Sequence, residues 1–337
     1  MSDTDPRLVV DLIEAFRRSK TMFTAVSLGI FDLLSGKPAT AAELARATGT
    51  NEGALERLLD GCAGLGLLEK QDERYANSAV ADAWLRRGSD HTLAGYIVYS
   101  DQALFPMWGH LEDAVREASP RWTQTFGHEA DIFSHFYRTE QAMRDFLLGM
   151  HGFGLLSSPR VAGAFDLSGF RRMVDLGGAT GHLALEVRRR WPQMACAVFD
   201  LPGVIAVARE FGARCGGGPM EYITGDFFND PLPPADLYSL GRILHDWADE
   251  KALGLLRKIA AALPDGGGVL IAEILLDEDR TGPVSGLMQS LNMLVCAEGR
   301  ERTLSEYAAL LGAAGFGEVQ GVRTGAPLDA ILARVAR

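Results

Sequence analysis

The stretch MVDLGGATGHLALEV, residues 173–187, decides the fold. An apolar run enters Asp175, a loop carrying Gly177, Gly178 and Gly181 follows, and a helix begins near His182. Apolar strand, glycine turn and helix in that order are the opening of a βαβ unit. Two more apolar runs end in acids: ACAVFDLP at Asp200 and MEYITGDFF at Asp226. Each acid stands just past the carboxyl end of an expected parallel strand, the edge at which open α/β sheets bind ligands.

Outward from this stretch the alternation continues. The segments ADLYSLGRIL and GGVLIAEILL read as strands, with helices expected over 182–190, 203–211 and 249–262, so the second half predicts an α/β fold with a parallel sheet. DAILARVA, 329–336, reads as a further strand near the C-terminus. Toward the N-terminus, residues 8–35 carry apolar positions at helical spacing. Residues 38–85 then read as helix, a turn through Gly49-Thr50-Asn51, a second helix with Leu55, Leu58 and Leu59, and a β-like tail through Leu67–Tyr75, which is the winged-helix pattern. Residues 90–160 look helical and rich in aromatics, some of which would line a cleft for an aromatic substrate. The expected division is a winged-helix-like domain over 1–90, a helical linker region over 91–165 contributing to the substrate cleft, and a catalytic domain over 166–337.

Composition narrows the function. Thirty-three Lys and Arg against 44 Asp and Glu give a net charge of −11 and a pI near 5.2. Such a surface is poorly suited to phosphate backbones or anionic membranes. The second helix of the winged-helix segment sets Glu52, Glu56 and Asp60 against Arg57. A recognition helix needs cations facing phosphate, so packing or dimerisation fits this module better than DNA binding. No apolar run approaches the ~20 residues of a membrane span. The N-terminus MSDTDPRLVV has no secretory apolar core, and Cys62, Cys196, Cys215 and Cys296 are scattered without metal-ligand spacing, so a cytoplasmic protein with reduced thiols is expected. His128 and His135 with Glu129 have no further ligand nearby in sequence, and no metal site is expected.

The glycine loop then selects a ligand. A dinucleotide fingerprint needs glycine at its first, third and sixth positions, which here are Gly177, Ala179 and His182. No Gly-Lys-Ser/Thr run follows to hold a triphosphate. Instead the loop lets backbone approach a ligand without Cβ clashes. Asp175 can hold an ammonium, Asp200 the two hydroxyls of a ribose and Asp226 an adenine amine, with Phe227 covering the purine face. None of these groups is cationic, so nothing among them neutralises a pyrophosphate. Ammonium, ribose diol, adenine amine and a cationic sulfonium occur together in S-adenosylmethionine, and an acid-lined site suits it.

With these residues in place the chain resembles a known family. VDLGGATG, FDLPGV, GDFFNDPLPPADLY, RILHDWADE, PDGGGVLIAE and EGRERTLSEYAALLGAAGF occur in the order and spacing of the small-molecule O-methyltransferases with an N-terminal winged-helix dimerisation domain. WGHLEDAVRE, QTFGHEADIF, MQSLNMLV and LDAILAR look like the acetylserotonin O-methyltransferase and acetylserotonin O-methyltransferase-like branch. The resemblance covers essentially the whole chain. It implies a Rossmann-like S-adenosylmethionine domain of mostly parallel strands with one reversed, and a helical N-terminal domain that pairs with a second subunit as a homodimer. It also implies cofactor contacts at Tyr137, Asp175, Gly177, Asp200, Gly225, Asp226, Phe227 and Arg242. His245 matches the general base, with Asp246 beside it and Glu273 and Glu301 as the flanking acids. Met150, Asp246, Met288, Asn292 and Cys296 match substrate contacts. The chain departs from the pattern at Ala179, where the family has the loop's central glycine. It departs again at Cys296, where the acetylserotonin enzymes have a glutamine, and at Gly154, which replaces a tryptophan near the cofactor. The last two bear on whether the acceptor is an indole.

The chemistry agrees with these residues. Methyl transfer from a sulfonium to a hydroxyl is an in-line displacement that needs alignment and removal of the hydroxyl proton. A neutral histidine suits that proton, and a carboxylate on its far nitrogen fixes the tautomer. Met288, Asn292 and Cys296 at i, i+4 and i+8 share one helix face, mixing apolar and hydrogen-bonding groups as a small aromatic pocket would. The expectation is therefore an S-adenosylmethionine-dependent O-methyltransferase acting on a small aromatic hydroxyl, with no nucleic-acid or membrane partner. Carbon or nitrogen methylation with the same cofactor, a catalytically silent cofactor-binding homologue and a winged-helix regulator are the alternatives.

Overall fold

The computed structural model describes residues 4–127, 139–214 and 220–335. The chain divides into two compact units, residues 1–103 and 104–337. Sequence places the boundary near 90 and makes 91–165 a linker. In the structure Ala94 and Ile97 are instead core residues of the first unit.

In the first unit a long helix, α1 (Arg7–Ser27), precedes a helix-turn-helix formed by α2 (Ala41–Thr48) and α3 (Glu52–Gly64). The turn is cut by local chemistry. Thr40 and Glu43 close a capping box at the start of α2, Gly49 ends it in the left-handed conformation, and Asn51 caps α3. A three-stranded sheet follows in the order β1 (Ala39–Thr40), β3 (Arg74–Asn77), β2 (Leu68–Gln71). Its β2–β3 hairpin turns through Asp72 and Glu73, both at positive φ, as a two-residue hairpin turn matched to strand twist requires. Ile30, Phe31, Leu34, Leu44, Leu55, Leu59 and Tyr75 fill the core of this unit.

In the second unit the strands are β4 (Arg172–Leu176), β5 (Ala195–Asp200), β6 (Glu221–Thr224), β7 (Leu237–Gly241), β8 (Gly268–Glu273), β11 (Phe316–Val322) and β12 (Asp329–Val335). They form one sheet in the order β11-β12-β8-β7-β4-β5-β6. β4 to β8 pair in parallel, and β12 lies antiparallel to both neighbours as the one reversed strand. A short parallel pair, β9 (Leu275–Leu276) with β10 (Arg302–Thr303), stands beside it. The helices are α4 (Glu140–Val161), α5 (His182–Arg190), α6 (Pro202–Arg214), α7 (Asp249–Ala262), α8 (Val284–Cys296) and α9 (Leu304–Ala314).

Strand periodicity assigns each side chain to a layer. Val174, Leu176, Ala197, Phe199, Val269 and Ile271 pack with α7 and α9 on one face. Met173, Cys196, Val198 and Leu270 pack with α4, α5 and α6 on the other. All six residues of β8 are buried, as a strand covered on both faces requires. Strand order reverses between β4 and β7, and the carboxyl ends at such a switch point are where open α/β sheets bind ligands. Among the described residues no helix is long and apolar enough to cross a membrane.

Candidate active site

The loop after β4 is shaped by three left-handed residues, Gly177 at φ +64, Ala179 at φ +49 and Gly181 at φ +80. A Cβ on Gly177 would stand 2.6 Å from Ile243 and 3.1 Å from Phe227, so this glycine brings the loop against side chains from two other strand ends. Asp200 is buried and ties the loop down from β5. One oxygen accepts the Ala179 N–H at 2.9 Å and the other the Leu201 N–H at 2.8 Å. Each oxygen keeps a lone pair, and burial pushes the carboxyl up to about 6. Gly225 follows β6 with its N–H on the Asp200 carbonyl. Asp226, half-buried, accepts the Phe228 N–H on one oxygen and the Asn229 amide on the other. The rings of Phe227 and Phe228 lie 4.8 Å apart.

Asp175 has a different setting. Alternation along β4 puts it on the same face as Met173, beneath α5 rather than at the open edge. Its carboxylate accepts the Ser239 hydroxyl at 2.6 Å and a backbone N–H from Ala184, and burial lifts it to about 7. It holds the loop and the first turn of α5 from within. Tyr137, together with His128, Glu129 and His135, lies outside the described residues.

Past β7 the chain forms a tight turn, Leu244–Asp246, that carries His245 into the protein, where it is 3% exposed. Its Nδ1 is 2.6 Å from Glu301 and 3.4 Å from Glu273, and its Nε2 is 3.6 Å from Asp246. One Glu273 oxygen caps the turn, accepting the N–H groups of Ile243 and Leu244 at 3.0 Å each. Its other oxygen, and one of Glu301, have no hydrogen-bond partner among the described residues. Burial raises all three acids, Asp246 to about 6 and Glu301 to about 8. Arg242 and Arg302 act against the rise at Glu301. His245, Glu273 and Glu301 bring ligand-type atoms close together. The 2.6 Å between Nδ1 and Glu301 is nevertheless a proton's spacing, since two ligands each ~2.0–2.2 Å from an ion stand further apart.

Arg242, at φ +57, sets its guanidinium 4.8 Å from the Phe153 ring centre. On α8, Asn292 and Cys296 are buried: Asn292 accepts the Trp108 indole N–H at 2.9 Å, and its amide reaches the Cys296 thiol at 3.6 Å. The charge of Asp246 reaches that thiol and helps raise it, after burial. Met288, two turns earlier, is 46% exposed, and Met150 is half-buried on α4.

Two histidines that sequence reasoning passed over flank the loop. His151 Nδ1 is 2.8 Å from the Thr180 hydroxyl, and His182 Nδ1 is 2.8 Å from the Ser158 hydroxyl. Burial pushes the His151 imidazole down to about 4 and holds His182 well below the ordinary histidine range, so both are neutral. The signal was available: His182 occupies the position where the dinucleotide pattern wants glycine, and a bulky ring there needs a gap opposite. Gly154 supplies it, since a Cβ at 154 would lie 2.5 Å from three atoms of the His182 ring.

The donor set fits S-adenosylmethionine. Asp200 and Asp226 offer acceptor lone pairs for hydroxyl and amine, the loop backbone is bared by glycine, and buried carboxyls stand at the same sheet edge, which suits a cationic ligand.

Known proteins agree with this architecture. Residues 108–317 match the O-methyltransferase domain and residues 10–87 the O-methyltransferase dimerisation domain. The chain is 42% identical over 336 residues to acetylserotonin O-methyltransferase of Gallus gallus, covering 98% of this chain and 97% of that protein. It is also 42% identical over 335 residues to a probable bifunctional dTTP/UTP pyrophosphatase/methyltransferase protein of Homo sapiens, of which it spans 54%. The crystal structure of human N-acetylserotonin methyltransferase in complex with S-adenosylmethionine superposes with a TM-score of 0.92 at 38% identity, covering both chains completely. The chain therefore belongs to the O-methyltransferase family and is an S-adenosylmethionine-dependent O-methyltransferase with an N-terminal dimerisation domain.

Proposed function

We propose that the chain methylates the hydroxyl of a small aromatic acceptor, with His245 as general base, Glu301 and Glu273 as its supporting acids, and Asp246, Asn292 and Cys296 beside the acceptor. The observation that carries this reading is a buried histidine whose Nδ1 is held 2.6 Å from Glu301. With Glu301 ionised and the proton on Nδ1, Nε2 is left to take the acceptor's proton and the carboxylate stabilises the imidazolium that forms. Since burial lifts Glu301 to about 8, this form gains population as pH rises toward and past 8. Glu273 fixes the turn that carries the ring through its bonds to the backbone N–H groups. Met288 and Met150 supply apolar, adaptable surface to the same pocket. Asp200, Asp226, Phe227, Gly177, Gly225 and Arg242 hold the cofactor, which supplies an electrophilic methyl group when bound. Asp175 contributes from beneath, by fixing the loop.

The relatives' names point to a hydroxyindole-type acceptor. The test is incorporation of label from S-adenosylmethionine into a panel of hydroxyindoles, catechols, flavonoids and polyketide phenols. His245→Ala should lower turnover by roughly 10²–10⁴-fold, the loss expected for a positioned base, while S-adenosylhomocysteine still binds by calorimetry. Equal turnover in the two proteins would refute the base role.

The partner we propose is a second copy of the chain. α1 exposes Leu8, Val9, Val10, Leu12, Ile13 and Phe16, each at least half exposed, a stripe too apolar for solvent and lying mostly within the matched dimerisation domain. The buried free thiols of Cys62, Cys196 and Cys296 support a reducing, cytoplasmic setting.

A further inference from the structure

Arg302 has no assigned part in the reaction, and it is wholly buried. All five of its N–H donors are used. Nε and Nη2 donate to one oxygen of Asp249 at 3.0 and 2.7 Å, Nη1 to the carbonyls of Leu244 at 2.9 Å and Arg300 at 3.3 Å, and Nη2 to the carbonyl of Trp247 at 3.0 Å. Leu244 and Trp247 bracket the turn that carries His245. The backbone of the same segment presses on this turn. Glu298 N–H donates to the Asp246 carbonyl at 3.1 Å, and a Cβ on Gly299 would stand 2.6 Å from both N and O of Trp247. Residues 298–302 thus mould the turn from one side, sending Glu301 to the ring and Arg302 to the carbonyls on either side of it.

A buried guanidinium is costly unless every donor is met, and here Asp249 and three carbonyls meet them. Lysine cannot substitute: its ammonium is a point charge with three donors and no planar fork to span two carbonyls and a carboxylate at once.

We propose that Arg302 is a positioning residue for catalysis: its fork fixes the carbonyls of Leu244 and Trp247 and thereby holds the His245 ring in register with Glu301. This rests on His245 being the base. The experiment is a kinetic cycle of Arg302→Lys, His245→Ala and the double variant, with Asp249→Asn as a milder variant that loosens the fork from its half-exposed side. S-adenosylhomocysteine affinity and melting temperature establish that each variant is folded.

Arg302→Lys should lower kcat by roughly 10–100-fold, the scale of a displacement near 1 Å, with cofactor affinity within about twofold of wild type. Asp249→Asn should lower kcat several-fold. In the His245→Ala background both effects should shrink to less than about twofold, because residues acting through one group are not additive. Wild-type kcat in Arg302→Lys, or a loss that multiplies with His245→Ala, overturns the proposal. If His245→Ala alone leaves kcat intact, the base reading fails first and the positioning role falls with it. A lowered kcat in His245→Ala beside an unaffected Arg302→Lys and Asp249→Asn refutes the Arg302 role alone.

Discussion

Replacing Gly154 by alanine tests the packing around the cofactor loop most directly. The new Cβ would lie 2.5 Å from Nδ1, Cδ2 and Cε1 of His182, where carbon contacts settle at ~3.5–4.0 Å. The ring must retreat by about 1 Å, and that motion breaks a relay. The Ser158 hydroxyl donates its one proton to the Gly154 carbonyl at 2.8 Å, so His182 Nδ1–H is the donor of the second bond. Overpacking of this kind costs ~1–3 kcal/mol and a lost hydrogen bond ~1 kcal/mol. Alanine in place of glycine inside a helix returns ~0.5–1 kcal/mol. The net expectation is a destabilisation of about 1–3 kcal/mol, which for a unit of residues 104–337 lowers the melting temperature by roughly 3–10 °C.

The control is His182→Ala. With the ring gone, Gly154→Ala becomes an unhindered glycine-to-alanine change in a helix and should stabilise by ~0.5–1 kcal/mol. The sign of the effect therefore reverses between the two backgrounds. Thermal unfolding of the four proteins reads this out. Calorimetry with S-adenosylhomocysteine adds a functional measure, since His182 directly follows the loop glycine that caps α5. Gly154→Ala with an unchanged melting temperature, or with the same sign in both backgrounds, would refute the reasoning.

Three further outcomes follow from the same geometry. The Asp200 carboxyl is lifted to about 6 by burial and must ionise to accept two hydroxyls well, so affinity for S-adenosylhomocysteine should weaken about tenfold from pH 7.5 to 5, and Asp200→Asn should bind weakly with no such step in calorimetry. Leu12→Glu with Phe16→Glu sets two charges one turn apart on the exposed stripe of α1 and should convert a dimer to a monomer in light scattering; an unchanged mass would remove this stripe from the interface. Ala179→Gly relieves a left-handed alanine, worth ~1–2 kcal/mol, against ~0.5–1 kcal/mol of added chain entropy, so it should be neutral to stabilising by at most about 1.5 kcal/mol in denaturant melts, and a clear loss would show that the methyl group packs productively.

The sequence carried what is local. Helices at 182–190 and 249–262 and strands leading into the glycine loop and through Asp200 follow from short-range periodicity, glycine turns and caps. Asp175 and Asp200 nevertheless lie within their strands rather than just past them, and the reversed last strand was implied by the family resemblance alone. Partners distant in the chain were not readable. Ser239 lies 64 residues from Asp175, Ser158 lies 24 from His182, and Leu244 lies 58 from Arg302. Asp175 is the instructive case. Its place at a strand end suggested a ligand contact, yet alternation along β4 already put it on the face of Met173, beneath a helix. Parity alone does not decide such a role, since Asp200 shares the face of Cys196 and Val198 at the last position of β5, whereas Asp226 lies in the turn beyond β6 and is free of that constraint.

The buried acids explain why this edge selects its ligand. Asp175, Asp200, Asp246, Glu273 and Glu301 stand at or near the carboxyl ends of β4, β5, β7 and β8, or reach in beside them, and burial raises every one. Raised carboxyls record the cost of burying charge away from water. Arg242 and Arg302 relieve part of it at Glu301, and backbone N–H groups part at Asp175 and Asp200. A cation brought to this edge would favour the acids' ionised forms and a pyrophosphate would oppose them, whatever the shape of the glycine loop. The failed sixth glycine at His182 and the acid-rich edge are thus two expressions of one design. The helix after the loop starts at a histidine whose ring packs against Gly154 and Ser158, and Asp175 holds its first turn from below, leaving the loop backbone and the acids to meet a cationic nucleoside.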